Sequence, residues 1–278
     1  MGFFSDVFNT TTTYGNDQPS TTLTSLPTTF KMYHPKIHYY FRRVDDEVVL
    51  CNLVSQQTNN QVNQLFTPLN NHTVGMIDEN LQISDHCNDD VDTLFELTRR
   101  NLTFLHEFIP TITLAGNDKR SISNFIDTCN QRYNQFIPQH IMLTAAIWYR
   151  NEMAGLVAIQ NFNPSNCNCE VGYWIGQEFQ SKGIAIRAVR QFCRDLFQTS
   201  APISTTSTTS MACNETHGPV INSYVHKIIF KVDAENTRSC KLCEKLQCTK
   251  EGYLREHEFY HNKFHDVVYY ALLRSDIN

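Results

Sequence analysis

The segment "EVGYWIGQEFQSKGIAIRAV", residues 170–189, constrains the fold of this 278-residue chain more than any other. The residues up to Ile175 predict a strand ending near Gly176. The run from Lys182 predicts a helix with Ile184, Ala188, Val189, Phe192 and Leu196 on one side. Gly183 lets the backbone turn with no Cβ in the way, and Ala185 keeps the first helical turn slim. The first N–H groups of a helix have no intrahelical acceptor, and with the helix dipole they make an anion site that suits a pyrophosphate. The spacing is Q-x-x-G-x-A over Gln180–Ala185. It lacks the G-K-[ST] of a P-loop and the G-x-G-x-x-G of a dinucleotide fold. An ordinary strand-to-helix turn with a useful glycine stays open as the alternative.

Periodicity supplies the surroundings. "ENLQISDH" alternates as a strand, followed by a helix carrying Val91, Leu94, Phe95, Leu97 and Leu102, and by a second helix in "DKRSISNFIDTCNQRYNQF". Strands are predicted at "QHIMLTAAIWY", "EMAGLVAIQNF", "NCEVGYWIG", "HKIIFKVD", "TKEGYLREHEFYH" and "DVVYYALLR", with a further helix at "NTRSCKLCEKL". Helices interleaved with strands predict a mixed α/β sheet. Residues 1–30 are Thr-rich and nearly uncharged, which predicts a disordered tail. Residues 31–73 form an N-terminal extension of unknown role. In it "KIHYYFRR" and "EVVLCNLV" flank "VDDE" as a possible hairpin, and the Asn/Gln-rich "SQQTNNQVNQ" reads as a linker. The main domain is expected over 74–278, interrupted by a Ser/Thr-rich insertion at 199–222 that costs little beyond loop-closure entropy.

A formal net charge of −5 lacks the basic footprint of a protein that lives on nucleic acid. No apolar run approaches the ~20 residues of a membrane helix. "MGFFSDVFNT" has no signal-peptide pattern, and Asp6 stands where myristoylation wants Ser or Thr. The ten cysteines therefore read as reduced thiols of a cytoplasmic protein, and the N-x-S/T sequons, Asn101 among them, as chance matches.

Cys240 and Cys243 with His257 and His261 mimic the spacing of a Cys2His2 zinc site. The expectation is nevertheless no metal. The cysteines fall on a predicted helix with Cys243 among core positions, and two histidines four strand residues apart stand ~13 Å from each other.

With these segments placed, the chain resembles the GNAT acetyltransferases, in particular the Rim-type ribosomal-protein N-acetyltransferases. The Q-x-x-G-x-A loop after "GYWI", "VDAENTRSCKLCEKL", "EGYLREHEF" and "HDVVYYALL" carry the resemblance, over roughly 74–198 and 223–278. It departs at Gln247-Cys248, where the family usually has Gly-Phe, and at "FIPTI", where tryptophans often sit near the acceptor. The resemblance implies a GNAT fold: a mixed, mostly antiparallel sheet flanked by helices. It implies acetyl-CoA as co-substrate, with the pyrophosphate on the loop of Gln180, Ser181, Lys182, Gly183, Ile184 and Ala185. Residues 171–175 would splay from the neighbouring strand and leave an N–H near Trp174 or Ile175 for the thioester carbonyl. Asn236 would contact the pantetheine arm, beside its alternative role as a helix N-cap.

Acetyl transfer requires that the amine lose a proton, that the developing oxyanion be stabilised and that the thiolate be protonated. The resemblance places Ser239 near the CoA sulfur and Glu258 near the amine, with Glu256 and Tyr260 on the same strand face as Glu258. The expected reaction is N-acetylation of a protein N-terminal amine, with a ribosomal protein as one candidate. The alternatives are a small amine such as a polyamine or antibiotic, or a GNAT-shaped module that binds CoA or a partner without turnover.

Overall fold

The structure, a computed structural model, describes residues 41–53, 90–110, 118–134, 143–199 and 225–277. The Thr-rich tail, the Asn/Gln-rich linker, the strand expected at 79–86 and the insertion from residue 200 onward lie outside them.

Eight strands form one sheet: β1 Phe41–Arg43, β2 Val48–Asn52, β3 Thr144–Tyr149, β4 Glu152–Asn163, β5 Asn168–Ile175, β6 Lys227–Asp233, β7 Thr249–Tyr260 and β8 Lys263–Leu273. Their order is β1-β2-β3-β4-β5-β6-β8-β7. Every pairing is antiparallel except β5 with β6. This is the mixed, mostly antiparallel sheet expected. Among the described residues, four α-helices flank it: α1 Asp90–His106, α2 Lys119–Asn134, α3 Ile184–Thr199 and α4 Thr237–Lys245. Helices α1 and α2 pack together over β3 and β4, and α3 packs over β2, β4 and β5.

Burial follows the sequence pattern. On α1, Val91, Leu94, Leu97, Thr98, Asn101 and Leu105 form one buried stripe. On α3, Ile184, Ala188, Val189, Phe192 and Cys193 are buried to within 1% of full burial. Strand β4 is buried from Met153 to Ile159 without alternation, because helices cover both of its faces. Two-residue turns join the tightest hairpins. Arg150-Asn151 and His261-Asn262 both hold positive φ at each residue, which matches the right-handed twist of the flanking strands.

The possible hairpin in the N-terminal extension forms. Strand β1 pairs with β2, and β2 pairs along β3 from Val48 opposite Tyr149 to Asn52 opposite Ala145. Residues 41–52 thus continue the sheet, and β3 has β2 on one edge and β4 on the other.

Candidate active site

The feature that makes the site is a divergence of two strands. Strand β5 pairs with β6 only through Asn168, Cys169 and Glu170, opposite Lys227, Ile228 and Ile229. Beyond that point they separate, while β5 stays paired to β4 as far as Ile175 opposite Gly155. The opened wedge is a cavity of ≈ 430 Å³ whose walls include Val171–Ile175 of β5 and Phe230–Val232 of β6. Its far side is built from Phe104, Leu105, Phe108 and Ile109 at the end of α1. The splay expected for residues 171–175 is present, and it leaves backbone N–H and C=O groups of β5 without a strand partner on that edge.

A bulge at Gln160 on β4 shapes the floor. The β4–β5 register shifts between Ile159 and Asn161, and the Gln160 side chain lies across Gly172. A Cβ on Gly172 would meet Gln160 Nε2 at 1.8 Å, so a side chain there would make the Gln160 amide swing aside. Trp174 and Ile175 line the cavity at 5% and 7% exposure. The Trp174 indole N–H is buried without a hydrogen-bond partner among the described residues. An orphaned donor in a cavity wall is a group that a ligand can satisfy.

The loop from β5 to α3 closes one end, and Gln180, Ser181, Gly183, Ile184 and Ala185 all line the cavity. Gly183 has φ +72°, a left-handed conformation that favours glycine, and Ser181 has φ +60°. The first backbone bond of the helix is Arg187 N–H to Gly183 O at 3.3 Å. The N–H groups of Ile184 to Ile186 therefore face the loop without intrahelical acceptors. Lys182 is not among the lining residues; its ammonium sits over the Tyr149 and Phe179 rings, at 5.8 and 5.4 Å from their centroids. The Gln180 amide ties the loop to α4 by accepting from Arg238 at 3.1 Å. Buried Asn101 anchors the loop from beneath: its Oδ1 accepts the Gln177 N–H at 2.7 Å, and its amide donates to Glu178 and to Leu97 O. At 2% exposure, Asn101 is no glycosylation acceptor.

The opposite wall is the start of α4. Asn236 is its N-cap, accepting the Ser239 N–H on Oδ1 at 3.1 Å, and it also lines the cavity. The capping role is therefore real, and the amide NH2 is the end left to donate to a ligand. The Ser239 hydroxyl shares a hydrogen bond of 2.9 Å with the Tyr173 hydroxyl of β5. This pair bridges the wedge from one wall to the other. Burial pushes the Tyr173 phenol above its ordinary pKa, so the group is a hydrogen-bond donor, not an anion. Tyr173 was not read from the sequence. Its only signal was its place on the strand opposite in facing to Trp174.

Glu258 lies on β7, not in the cavity wall. It is ion-paired with Lys231, which does line the cavity. The side chains are 17% and 20% exposed. Burial works to raise the Glu258 pKa, and the Lys231 ammonium paired with it works to lower it. Burial likewise works against the Lys231 ammonium, and Glu258 more than offsets it, so Lys231 stays protonated. Glu256 departs from expectation. A register shift between Leu254 and Glu258 and a φ of +51° at Glu256 take it out of the alternation shared by Glu258 and Tyr260. Glu256 is exposed.

The four residues of the zinc-like spacing occupy separate surroundings. Cys243 is buried beside Cys248, and Cys240 Sγ faces Asp233 O at 3.9 Å. His257 meets the Tyr269 ring and His261 the His106 carbonyl. Asp233, Glu235 and His265 do bring ligand-type atoms within 4.8 Å of one another. Their own contacts fill that cluster. Tyr260 O–H donates to Asp233, His265 Nδ1 lies 2.7 Å from the same carboxylate, and Lys263 pairs with Glu235 at 2.7 Å. Asp233 also accepts the Glu235 N–H at 2.6 Å, which shapes the turn leading to Asn236 and Ser239.

The acetyltransferase (GNAT) domain family matches residues 80–249 of this chain. A relative from Bacillus subtilis (strain 168) is 23% identical over 134 residues, and one from Bacillus licheniformis, named as an uncharacterized N-acetyltransferase, is 29% identical over 126. The alignments cover 48% and 45% of this chain but only 61% and 58% of those two proteins. The ribosomal-protein-serine acetyltransferase of Escherichia coli (strain K12) is 20% identical over 198 residues, covering 70% of this chain and 93% of its own. Among solved structures, a RimL ribosomal L7/L12 alpha-N-protein acetyltransferase in complex with coenzyme A superposes with a TM-score of 0.59 at 14% identity, over 86% of this chain and all of that one. The microcin C7 self-immunity acetyltransferase MccE, in complex with acetyl-CoA and AMP, gives 0.57 at 16%, over 83% and 94%. The splayed wedge, the Q-x-x-G-x-A loop and the family match converge: the chain belongs to the GNAT acetyltransferase family.

Proposed function

We propose that this protein is an N-acetyltransferase that uses acetyl-CoA to acetylate the N-terminal amine of a protein, a ribosomal protein being the first candidate. The observation that carries the reading is the wedge between β5 and β6, with a helix N-terminus at one end and the Tyr173–Ser239 bridge across it. Acetyl-CoA would supply the activated acetyl thioester. The N–H groups of Gly183 to Ala185 would hold its pyrophosphate, and the Asn236 amide and the free edge of Val171–Ile175 its pantetheine arm. A backbone N–H near Trp174 or Ile175 is suited to stabilising negative charge on the thioester oxygen. The Ser239 hydroxyl, oriented by Tyr173, is suited to donating to the departing sulfur. Ionised Glu258 would receive the amine proton, directly or through one water. An α-amine of pKa ~7.7–8.0 is a far easier task for such a carboxylate than a lysine at ~10.4.

Relatives named for ribosomal-protein acetylation favour the peptide acceptor. The cavity-lining Lys231 ammonium also disfavours a polycation such as a polyamine. The likeness to the microcin self-immunity enzyme keeps an antibiotic-type small amine as the second reading. Release of CoA against a panel of N-terminal peptides and small amines separates the two. Turnover on small amines alone would overturn the peptide reading, and CoA binding without turnover on any amine would make the protein a non-catalytic module. On a verified acceptor, Glu258→Gln should lower turnover by ~10²–10⁴ with acetyl-CoA affinity unchanged. Wild-type turnover in that variant would remove Glu258 as the base.

A further inference from the structure

The turn between β1 and β2 lies far from the wedge in sequence and outside residues 80–249, yet it reaches the phosphate loop. Arg187, in the first turn of α3, donates from Nη1 to Asp45 at 2.8 Å and to Glu47 at 3.3 Å. Its Nε donates to the Gly183 carbonyl at 3.3 Å, the same oxygen that receives the Arg187 backbone N–H. The carboxylates are themselves held. Asp45 Oδ1 accepts the N–H groups of Glu47 and Val48, each at 2.9 Å. Glu47 accepts from Arg150 Nε at 2.9 Å, and the Arg150 N–H bonds Glu47 O at 2.8 Å. A chain of contacts therefore runs from the β1–β2 turn through Arg187 to the carbonyl of Gly183, the loop glycine held at φ +72°.

We propose that Asp45 and Glu47 are positioning residues for the cofactor loop: they hold Arg187, and Arg187 fixes the Gly183 peptide so that the N–H groups beyond it face the phosphates. The inference rests on the reading that this loop binds the pyrophosphate of acetyl-CoA. It has a sign that simple electrostatics does not share. Two carboxylates beside an anion site repel the anion, so as bare charges their removal strengthens binding. As holders of Arg187, their removal weakens it.

The test uses the full chain and coenzyme A itself, with calorimetric Kd values at low and physiological salt. Asp45→Asn keeps an oxygen for the two N–H groups of the turn, and Glu47→Gln alters no turn bond made by its side chain. The double variant should bind CoA about three- to fivefold more weakly, the size of a lost partly exposed ion-pair network. In an Arg187→Met background the same two substitutions should change nothing further, because they act through Arg187. The single Glu47→Gln variant should show a smaller loss in the same direction. Equal or tighter CoA binding in the double variant overturns the proposal, as does an undiminished loss in the Arg187→Met background. Wild-type protein that binds no CoA overturns the phosphate-loop reading, and this inference falls with it.

Discussion

Substitution at Gly183 separates backbone conformation from bulk as the reason for glycine in the phosphate loop. A Cβ built there meets nothing within 4 Å, so crowding, the obvious objection to a side chain, does not operate. The constraint is φ, at +72°. Alanine in a left-handed conformation costs about 1–2 kcal/mol, partly offset by ~0.4–1 kcal/mol from a less flexible unfolded chain. Fold stability should therefore drop by roughly 0–1.6 kcal/mol. If the loop escapes the strain by turning φ negative, the N–H groups after Gly183 rotate away from the phosphates. Each hydrogen bond to a charged group contributes ~1.5–3 kcal/mol, so acetyl-CoA affinity should fall roughly 10- to 100-fold in Gly183→Ala. Gly183→Val should be worse, because a β-branched residue is a true outlier at positive φ. Gly183→Asn should stay within about threefold of wild type, since Asn visits the left-handed region readily. Calorimetric titration of the three variants with CoA gives the order. Asn losing as much as Val would show that size governs, and three unchanged affinities would mean that the loop does not hold the phosphates.

Gln247→Gly should stabilise the fold by about 0.5–1 kcal/mol, read as a higher urea midpoint, because exposed Gln247 holds φ +65° just past the end of α4 and gives up no packing. Tyr173→Phe and Ser239→Ala should each slow turnover about three- to tenfold, less than Glu258→Gln, and the double variant should be no slower than the worse single one, since either change breaks the same bond. Multiplicative losses on a verified acceptor would show that the two hydroxyls act separately. Stability should fall mildly as pH drops through about 6.5, where burial and the neighbouring His261 disfavour charged His106, and more steeply below about pH 4. The Tyr253 hydroxyl on Asp266, Arg150 on Glu47 and the Ser121 N–H on Asp118 hold those carboxyls below their ordinary pKa, so their contribution is present above the unfolded value and lost as pH falls through the folded one. A urea midpoint that rises on acidification would contradict that sign.

Local signals carried most of this protein. The apolar stripes of α1 and α3, the alternation of β6 and the glycine loop are written within stretches of ten to twenty residues, and each stands where its pattern put it. What the pattern missed joins residues far apart: Tyr173 with Ser239, Arg187 with Asp45, Lys231 with Glu258 across β8. Such partners depend on which strands become neighbours, and periodicity does not encode that. The hairpin at 41–52 shows the same limit, since its alternation predicts strands but not that they extend the sheet beside β3. The β7 bulge shows another, because two extra residues between Leu254 and Glu258 take Glu256 out of the alternation and leave no trace in composition. The family departure at Gln247-Cys248 was legible, but its consequence was not. The structure gives α4 the end that a glycine would give it: Gln247 N–H bonds Glu244 O at 2.9 Å and Cys248 N–H bonds Cys243 O at 3.0 Å, the paired bonds of a left-handed cap. The strain is confined to that cap, at the opposite end of the helix from Asn236 and Ser239, whose own bonds to the turn and to Tyr173 are intact. An altered helix end that leaves the cavity wall in place is a stability cost and supplies no reason for lost catalysis.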